Sequence, residues 1–98
     1  MKKFELIRQW AANRGIYEKG DPITQYCKLQ EESGELAKAL LEKNEAEIVD
    51  AIGDIVVVLT NLAFQKGYYI EDCIDSAYNE IKNRKGKMEN GTFKKNNG

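Results

Sequence analysis

The chain has 98 residues, and its fifteen lysines and arginines against sixteen aspartates and glutamates give a formal net charge of −1. That length suits one domain with one modest core, and the balanced charge offers no overall field to hold a nucleic acid polymer or an anionic membrane. Histidine is absent, which excludes Ser-His-Asp and Cys-His nucleophilic catalysis and the common His-ligated zinc sites within one chain, leaving carboxylate, lysine and arginine chemistry.

Met1-Lys2-Lys3 leads into an amphipathic segment rather than a signal-peptide core, and the longest apolar run, Ile55 to Leu59, is far shorter than the ~20 residues that cross a bilayer. The expected location is therefore cytoplasmic. Cys27 and Cys73 lack Cys-x-x-Cys spacing and are expected as reduced, half-buried thiols.

One proline in the chain, with few β-branched residues outside Ile52 to Thr60, predicts an all-α protein. Phe4, Ile7, Trp10 and Ala11 fall at helical spacing, so a first helix runs from about Lys3 to Arg14. Gly15 to Gly20 reads as a loop. Asp21-Pro22 then supplies an N-cap and a proline at the first helical position, where a missing N–H costs nothing. In this second helix Ile23, Tyr26, Cys27, Leu29, Leu36, Ala37, Leu40 and Leu41 form a broad apolar arc, broken at Lys43-Asn44. A third helix runs from about Glu45 to Lys66, ended by Gly67. A fourth begins at Ile70-Glu71-Asp72, carries Ile74, Ala77, Tyr78 and Ile81, and reaches about Lys85. The helical domain thus spans 1–86. Residues 87–98, rich in Lys, Asn and Gly, read as an irregular tail in which Asn90-Gly91 can make a tight turn.

The acids carry the functional signal. Glu31, Glu32 and Glu35 share the polar arc of the second helix with Lys28, Lys38 and Glu42, and by themselves a solvated face describes them as well. The third helix is different. It is apolar on every side from Ile55 to Leu59, the mark of a buried helix, yet Glu47, Asp50, Asp54 and Asn61 form a polar stripe along it. Isolated buried carboxylates are seldom kept without a cation or hydrogen-bond partner. Antiparallel packing through Lys43-Asn44 would bring Glu31, Glu32 and Glu35 level with Asp50 and Asp54. Oxygen-only ligands in such a patch favour a hard ion, Mg²⁺ or Mn²⁺. The all-round apolar third helix also calls for self-association, as a homodimer or homotetramer.

Glu31-Glu32-Ser33-Gly34-Glu35, with Ile52-Gly53-Asp54-Ile55 and the following Leu59-Thr60-Asn61-Leu62-Ala63, resembles the MazG family of all-α nucleoside triphosphate pyrophosphohydrolases. The basic stretch from Asn79 to Lys87 is similar to the end of the family helices that contact substrate phosphates. The resemblance implies a four-helix MazG-like bundle completed by oligomerisation, which cleaves a nucleoside triphosphate between the α and β phosphates. It implies metal ligation by Glu32, Glu35, Asp50 and Asp54, with Glu31 and Glu47 in support, and proton transfer by Glu31 or Glu35. Lys82, Asn83, Arg84 and Lys87 become candidate phosphate ligands, each also readable as part of a solvated basic helix end. Trp10 is either a base-stacking residue or core. Asn61 either meets substrate or bonds another helix across an interface. One departure stands out: where the family has a glutamate three residues before the Asp, this chain has Ala51, and Asp50 or Glu47 could supply that oxygen. The rival reading is a non-catalytic helical interaction module whose acids make interchain salt bridges. Nothing in the residues spells out a base preference.

Overall fold

A computed structural model describes residues 2–96. In chain order its elements are α1 (Lys2–Asn13), α2 (Ile16–Lys19), α3 (Pro22–Glu42), α4 (Glu45–Gln65), α5 (Ile70–Ile81), β1 (Gly86–Glu89) and β2 (Thr92–Lys95). The all-α reading holds for everything except the C-terminal end. No helix among the described residues is long and apolar enough to cross a membrane.

The long hairpin of α3 and α4 is the frame. Its start is fixed by Asp21, whose carboxylate accepts hydrogen bonds from the Thr24 amide (2.8 Å) and hydroxyl (3.1 Å), with Pro22 just inside the helix; these satisfy amides that the first turn leaves without partners. At the other end Lys43 adopts a left-handed conformation, φ 57°, and Asn44 Oδ1 accepts from the Glu47 amide at 3.2 Å to cap α4. A connection this short returns the chain on itself, so α3 and α4 run antiparallel and make the largest helix–helix contact of the chain.

The segment expected as a loop before α3 contains a single helical turn, α2. Gly15 takes φ 77° to leave α1, and Gly20 closes the turn with its amide on the Ile16 carbonyl at 2.9 Å. This turn docks Tyr17 on α4. The Tyr17 hydroxyl donates to Asn61 Oδ1 at 2.7 Å, and its ring lies 4.5 Å from that of Phe64. A second clasp joins α1 to the start of α5. Arg8 donates two hydrogen bonds of 2.7 Å to the Glu71 carboxylate, and its guanidinium lies 4.7 Å from the centre of the Tyr69 ring.

Helix α5 ends at Ile81 rather than near Lys85, and the tail expected to be irregular is a β-hairpin. Asn90 and Gly91, at φ 51° and 79°, are both left-handed, as a type I′ hairpin turn requires. The register pairs Met88 with Phe93 and Lys87 with Lys94.

Little is buried. The buried apolar residues are Ala11, Ala39, Ala51, Val58 and Ala63, joined by Glu32, Thr60 and Asn61. Leu41 is 85% exposed, Ile23 74% and Val49 69%. Cys27 and Cys73 are both exposed, not half-buried as their composition suggested, because the α3 and α5 faces that carry them have no cover within the chain. The accessible surface is 7701 Å², against about 5,700 Å² for a compact monomer of this mass. The radius of gyration, 16.1 Å, likewise exceeds the ~12.6 Å of a compact domain of this length.

Candidate metal and nucleotide site

The Glu-Glu-x-x-Glu stretch lies mid-way along α3, with its three carboxylates in three different settings. Glu31 points to solvent, and Lys28 Nζ stands 3.5 Å from its Oε2. Glu32 turns inward and is 6% exposed. Its Oε1 lies 3.6 Å from the same lysine, while its Oε2 is buried without a hydrogen-bond partner among the described residues. The paired carboxylates, Glu31 first and then Glu32, raise the Lys28 pKa. Glu35 is exposed and lines a cleft of about 300 Å³ with Lys38, Ala39, Glu42, Asn44 and Glu47, where α3 meets α4 near their connection.

The α4 acids do not close on these. Asp50 and Asp54 are exposed. Asp54 faces a different groove, lined by Lys3, Leu6, Ile7, Trp10 and Val57 between α1 and α4. Among the described residues no three acidic or thiol side chains are grouped closely enough to hold a metal ion. The expected single patch of four or five carboxylates is therefore not preformed. The physical reason is plain: like charges repel, most of these side chains reach water, and Glu31 and Glu32 share Lys28 instead. Asp54, expected on the polar stripe of a buried helix, instead reaches solvent. Ala51 is 5% exposed, so the position where the family carries a glutamate is here a small contact in the packed interior of the hairpin.

The basic residues form a separate region. Lys82 Nζ donates to Asn79 Oδ1 at 3.2 Å. Asn83 and Arg84 line a groove with Glu80, Lys85, Lys95 and Asn96, and Lys87 Nζ stands 3.9 Å from Glu89. No residue lines both this groove and the acidic cleft.

Trp10 is 45% exposed, so it is not core, and the Arg14 guanidinium covers one face of its ring at 4.3 Å. Asn61 is 3% exposed and engages another helix, through Tyr17, within the chain. Sequence reasoning missed Tyr17 because its segment read as loop. It also missed the Arg8–Glu71 pair, whose members lie 63 residues apart with no local pattern to join them.

The model of the MazG nucleotide pyrophosphohydrolase domain matches residues 21–88. The chain belongs to this family. The match begins at the α3 N-cap and ends within β1, so it takes in the acidic hairpin, α5 and the basic stretch after it. MazG proteins act on nucleotides as hydrolases and generally depend on a divalent metal. The chain is also 42% identical over 59 residues to an uncharacterized 18.2 kDa protein from the rep-hol intergenic region of Haemophilus phage HP1. That alignment takes in 60% of this chain and 36% of the phage protein, so the chain spans only about a third of that relative's length. No solved structure gives a significant match.

Proposed function

We propose that this MazG domain is a Mg²⁺-dependent nucleoside triphosphate pyrophosphohydrolase that converts a (d)NTP to the (d)NMP and pyrophosphate, with Mn²⁺ as a substitute metal. The observation that carries the reading is Glu32. A carboxylate 6% exposed, with one oxygen unpartnered, has a desolvation cost that a lysine standing 3.6 Å from its other oxygen only partly offsets. Oxygen donors suit a hard divalent ion, so the residues present fit magnesium. Glu32 and Glu35 from α3, with Asp50 and Asp54 from α4, would hold it, and Glu31 and Glu47 would support them. When bound, the ion neutralises phosphate charge and lowers the pKa of a nearby water.

The chain's own groups divide the remaining work. Glu35, which makes no ion pair among the described residues, accepts the proton of the attacking water, with Glu31 as the alternative base. As the new P–O bond forms, the P–O bond bridging the α and β phosphates breaks and leaves its electron pair on the departing phosphate oxygen. Lys82, Asn83, Arg84 and Lys87 bind the triphosphate, the guanidinium well suited to two oxygens at once. Trp10, with one face taken by Arg14, offers its other face to a base in the groove it shares with Asp54.

The domain acts as a homodimer or homotetramer. The surface excess of about 2,000 Å² over a compact monomer is what an obligate interface hides per copy, and the exposed Leu41, Val49 and Ile52 supply its apolar content.

The test is a product analysis across normal and noncanonical nucleoside triphosphates with Mg²⁺. Monophosphate and pyrophosphate should appear in equal amounts and stop with chelator. Diphosphate plus orthophosphate would refute the bond assignment. No turnover on any nucleotide would leave the interaction module, its acids paired between chains.

A further inference from the structure

Lys28 stands over the first two glutamates of the acidic stretch, with Nζ 3.5 Å from Glu31 Oε2 and 3.6 Å from Glu32 Oε1. All three lie within one turn or so of α3, so the meeting is local. It is also loose. A charge-assisted nitrogen–oxygen hydrogen bond closes to about 2.7–2.9 Å, as the two bonds from Arg8 to Glu71 do at 2.7 Å. Lys28 keeps 53% of its side chain in solvent, against 12% for Arg8. The chain builds a closed clamp in one place and an open counter-ion in the other, and an ammonium on a flexible four-carbon stem leaves such a position without moving the backbone.

Two observations show that this pairing is incomplete. Glu32 is 6% exposed, yet its Oε2 has no hydrogen-bond partner among the described residues, so the ammonium answers only one of its oxygens. The basic groove of Asn83, Arg84, Lys85 and Lys95 shares no lining residue with the acidic cleft. A phosphate drawn to the α3 carboxylates therefore needs a cation on α3 itself. Lys38 lines the cleft but pairs with no acid among the described residues. Lys28 is the cation that already stands on the carboxylates.

We propose that Lys28 is an exchangeable cation, which holds Glu31 and Glu32 while the site is empty, yields them to Mg²⁺, and then binds the phosphate chain of the nucleotide. The inference rests on the metal and nucleotide reading proposed above. One positive charge serves two states: it limits repulsion between neighbouring carboxylates in the first and meets phosphate oxygens in the second, where an ammonium acts as a point charge with no fixed geometry to satisfy. The displaced ammonium has an anion to meet only when phosphate is present. Metal and phosphate therefore assist each other's binding, each raising the other's affinity by the same factor, as linkage requires. A lysine that merely tied two glutamates together would stay on them in every state.

Brief lysine acetylation read by mass spectrometry follows the ammonium in the intact chain. The protein is treated alone, with Mg²⁺, and with Mg²⁺ plus inorganic pyrophosphate, a phosphate chain that carries no base. Modification of Lys28, relative to Lys38 on the same helix, should rise with Mg²⁺ and fall again when pyrophosphate is added. Calorimetry on Lys28→Met should find Mg²⁺ alone bound about fivefold more tightly, the counterpart of one exposed ion pair removed. Pyrophosphate at saturating Mg²⁺ should bind at least about tenfold more weakly, the loss of a hydrogen bond to a charged group. Lys28→Arg keeps the charge and should return both affinities toward the parent's. Three results overturn the proposal: a methionine variant that binds both more weakly, an arginine variant that behaves like the methionine one, or Lys28 acetylation that Mg²⁺ leaves unchanged in a protein that binds the ion. If Lys28→Met does not fold, the acetylation series on the parent decides alone. Pyrophosphate release from nucleotides is measured separately. Exchange at Lys28 without turnover refutes the catalytic reading and keeps the exchange, turnover with Lys28 fixed in place does the reverse, and a protein that binds no Mg²⁺ loses both.

Discussion

Replacing Glu32 by glutamine separates a metal ligand from a structural acid. In the folded chain Glu32 is buried, with Oε2 unpartnered. An unsatisfied buried polar group costs about 1–3 kcal/mol, more when charged. Against this stands one contact to Lys28, at 3.6 Å with the lysine 53% exposed, and exposed pairs of this kind contribute about 0–1 kcal/mol. Desolvation wins. Glu32→Gln keeps the shape and removes the charge, though its amide still lacks a partner, so the net gain should be about 1 kcal/mol. For a domain of this size that raises Tm by about 4–8 °C. Magnesium should have the opposite preference. At a hundredfold excess over Kd a ligand that binds only the folded state adds about 2.7 kcal/mol, and the variant should lose most of that increment together with its activity. The assay is thermal unfolding with and without Mg²⁺ at one fixed protein concentration, so that any self-association contributes equally to both curves. A variant that melts lower than the parent without metal, yet keeps the full magnesium shift, would refute the assignment of Glu32 as a ligand.

Asp54→Asn should leave metal-free stability within about 0.5 kcal/mol of the parent, the range for exposed positions, because Asp54 reaches solvent, but it should shrink the magnesium-induced Tm shift. Tyr17→Phe removes the 2.7 Å hydrogen bond to Asn61 and leaves a buried acceptor unpaired, so urea unfolding should show a loss of about 1–2 kcal/mol. The Arg8 hydrogen bonds hold the Glu71 pKa down to about 2 from its usual 4.5. Because the folded-state pKa is the lower one, this stabilisation is complete above pH 4.5 and fades as pH falls toward 2. The stability difference between parent and Glu71→Gln should shrink across that window in acid titrations followed by circular dichroism.

Local chemistry made the central hairpin legible before any coordinates. Asp21-Pro22 and Lys43-Asn44 act within one or two turns of themselves, and the bounds of α3 and α4 follow from them. Asn90-Gly91 reads as a tight turn, and the tolerance of both residues for left-handed backbone is what the observed turn uses. The strands on either side were not legible. Four-residue strands full of lysine carry no apolar alternation, and their pairing depends on the turn rather than on their own composition. The α2 turn was hidden between Gly15 and Gly20, since its stability comes from Tyr17 meeting Asn61 and Phe64 on α4, which no local pattern encodes.

The acids mark the limit of reasoning from one chain. Ile55 to Leu59 is apolar all round, and burial of α4 follows from that pattern, yet Ile52 is 51% and Val56 37% exposed. A helix face of this kind in water is stable only when something covers it. The same incompleteness recurs at each end of the molecule: an acid-rich hairpin with a buried carboxylate oxygen unpaired among the described residues, and a basic hairpin whose Met88 and Phe93 are exposed. If self-association covers these faces, the periodicity that predicts a buried α4 is a property of the assembly. The single chain then shows the Glu32 carboxylate already turned inward and its partners still in solvent. Lys28 is the counter-ion of that state, with Nζ 3.5 Å from Glu31 and 3.6 Å from Glu32. Removing it leaves the two carboxylates to repel each other, so Lys28→Met should weaken the metal-free protein and sharpen its dependence on magnesium. A Tm shift with Mg²⁺ larger than the parent's is the expected result, and an unchanged shift would mean that Glu31 and Glu32 do not meet the ion.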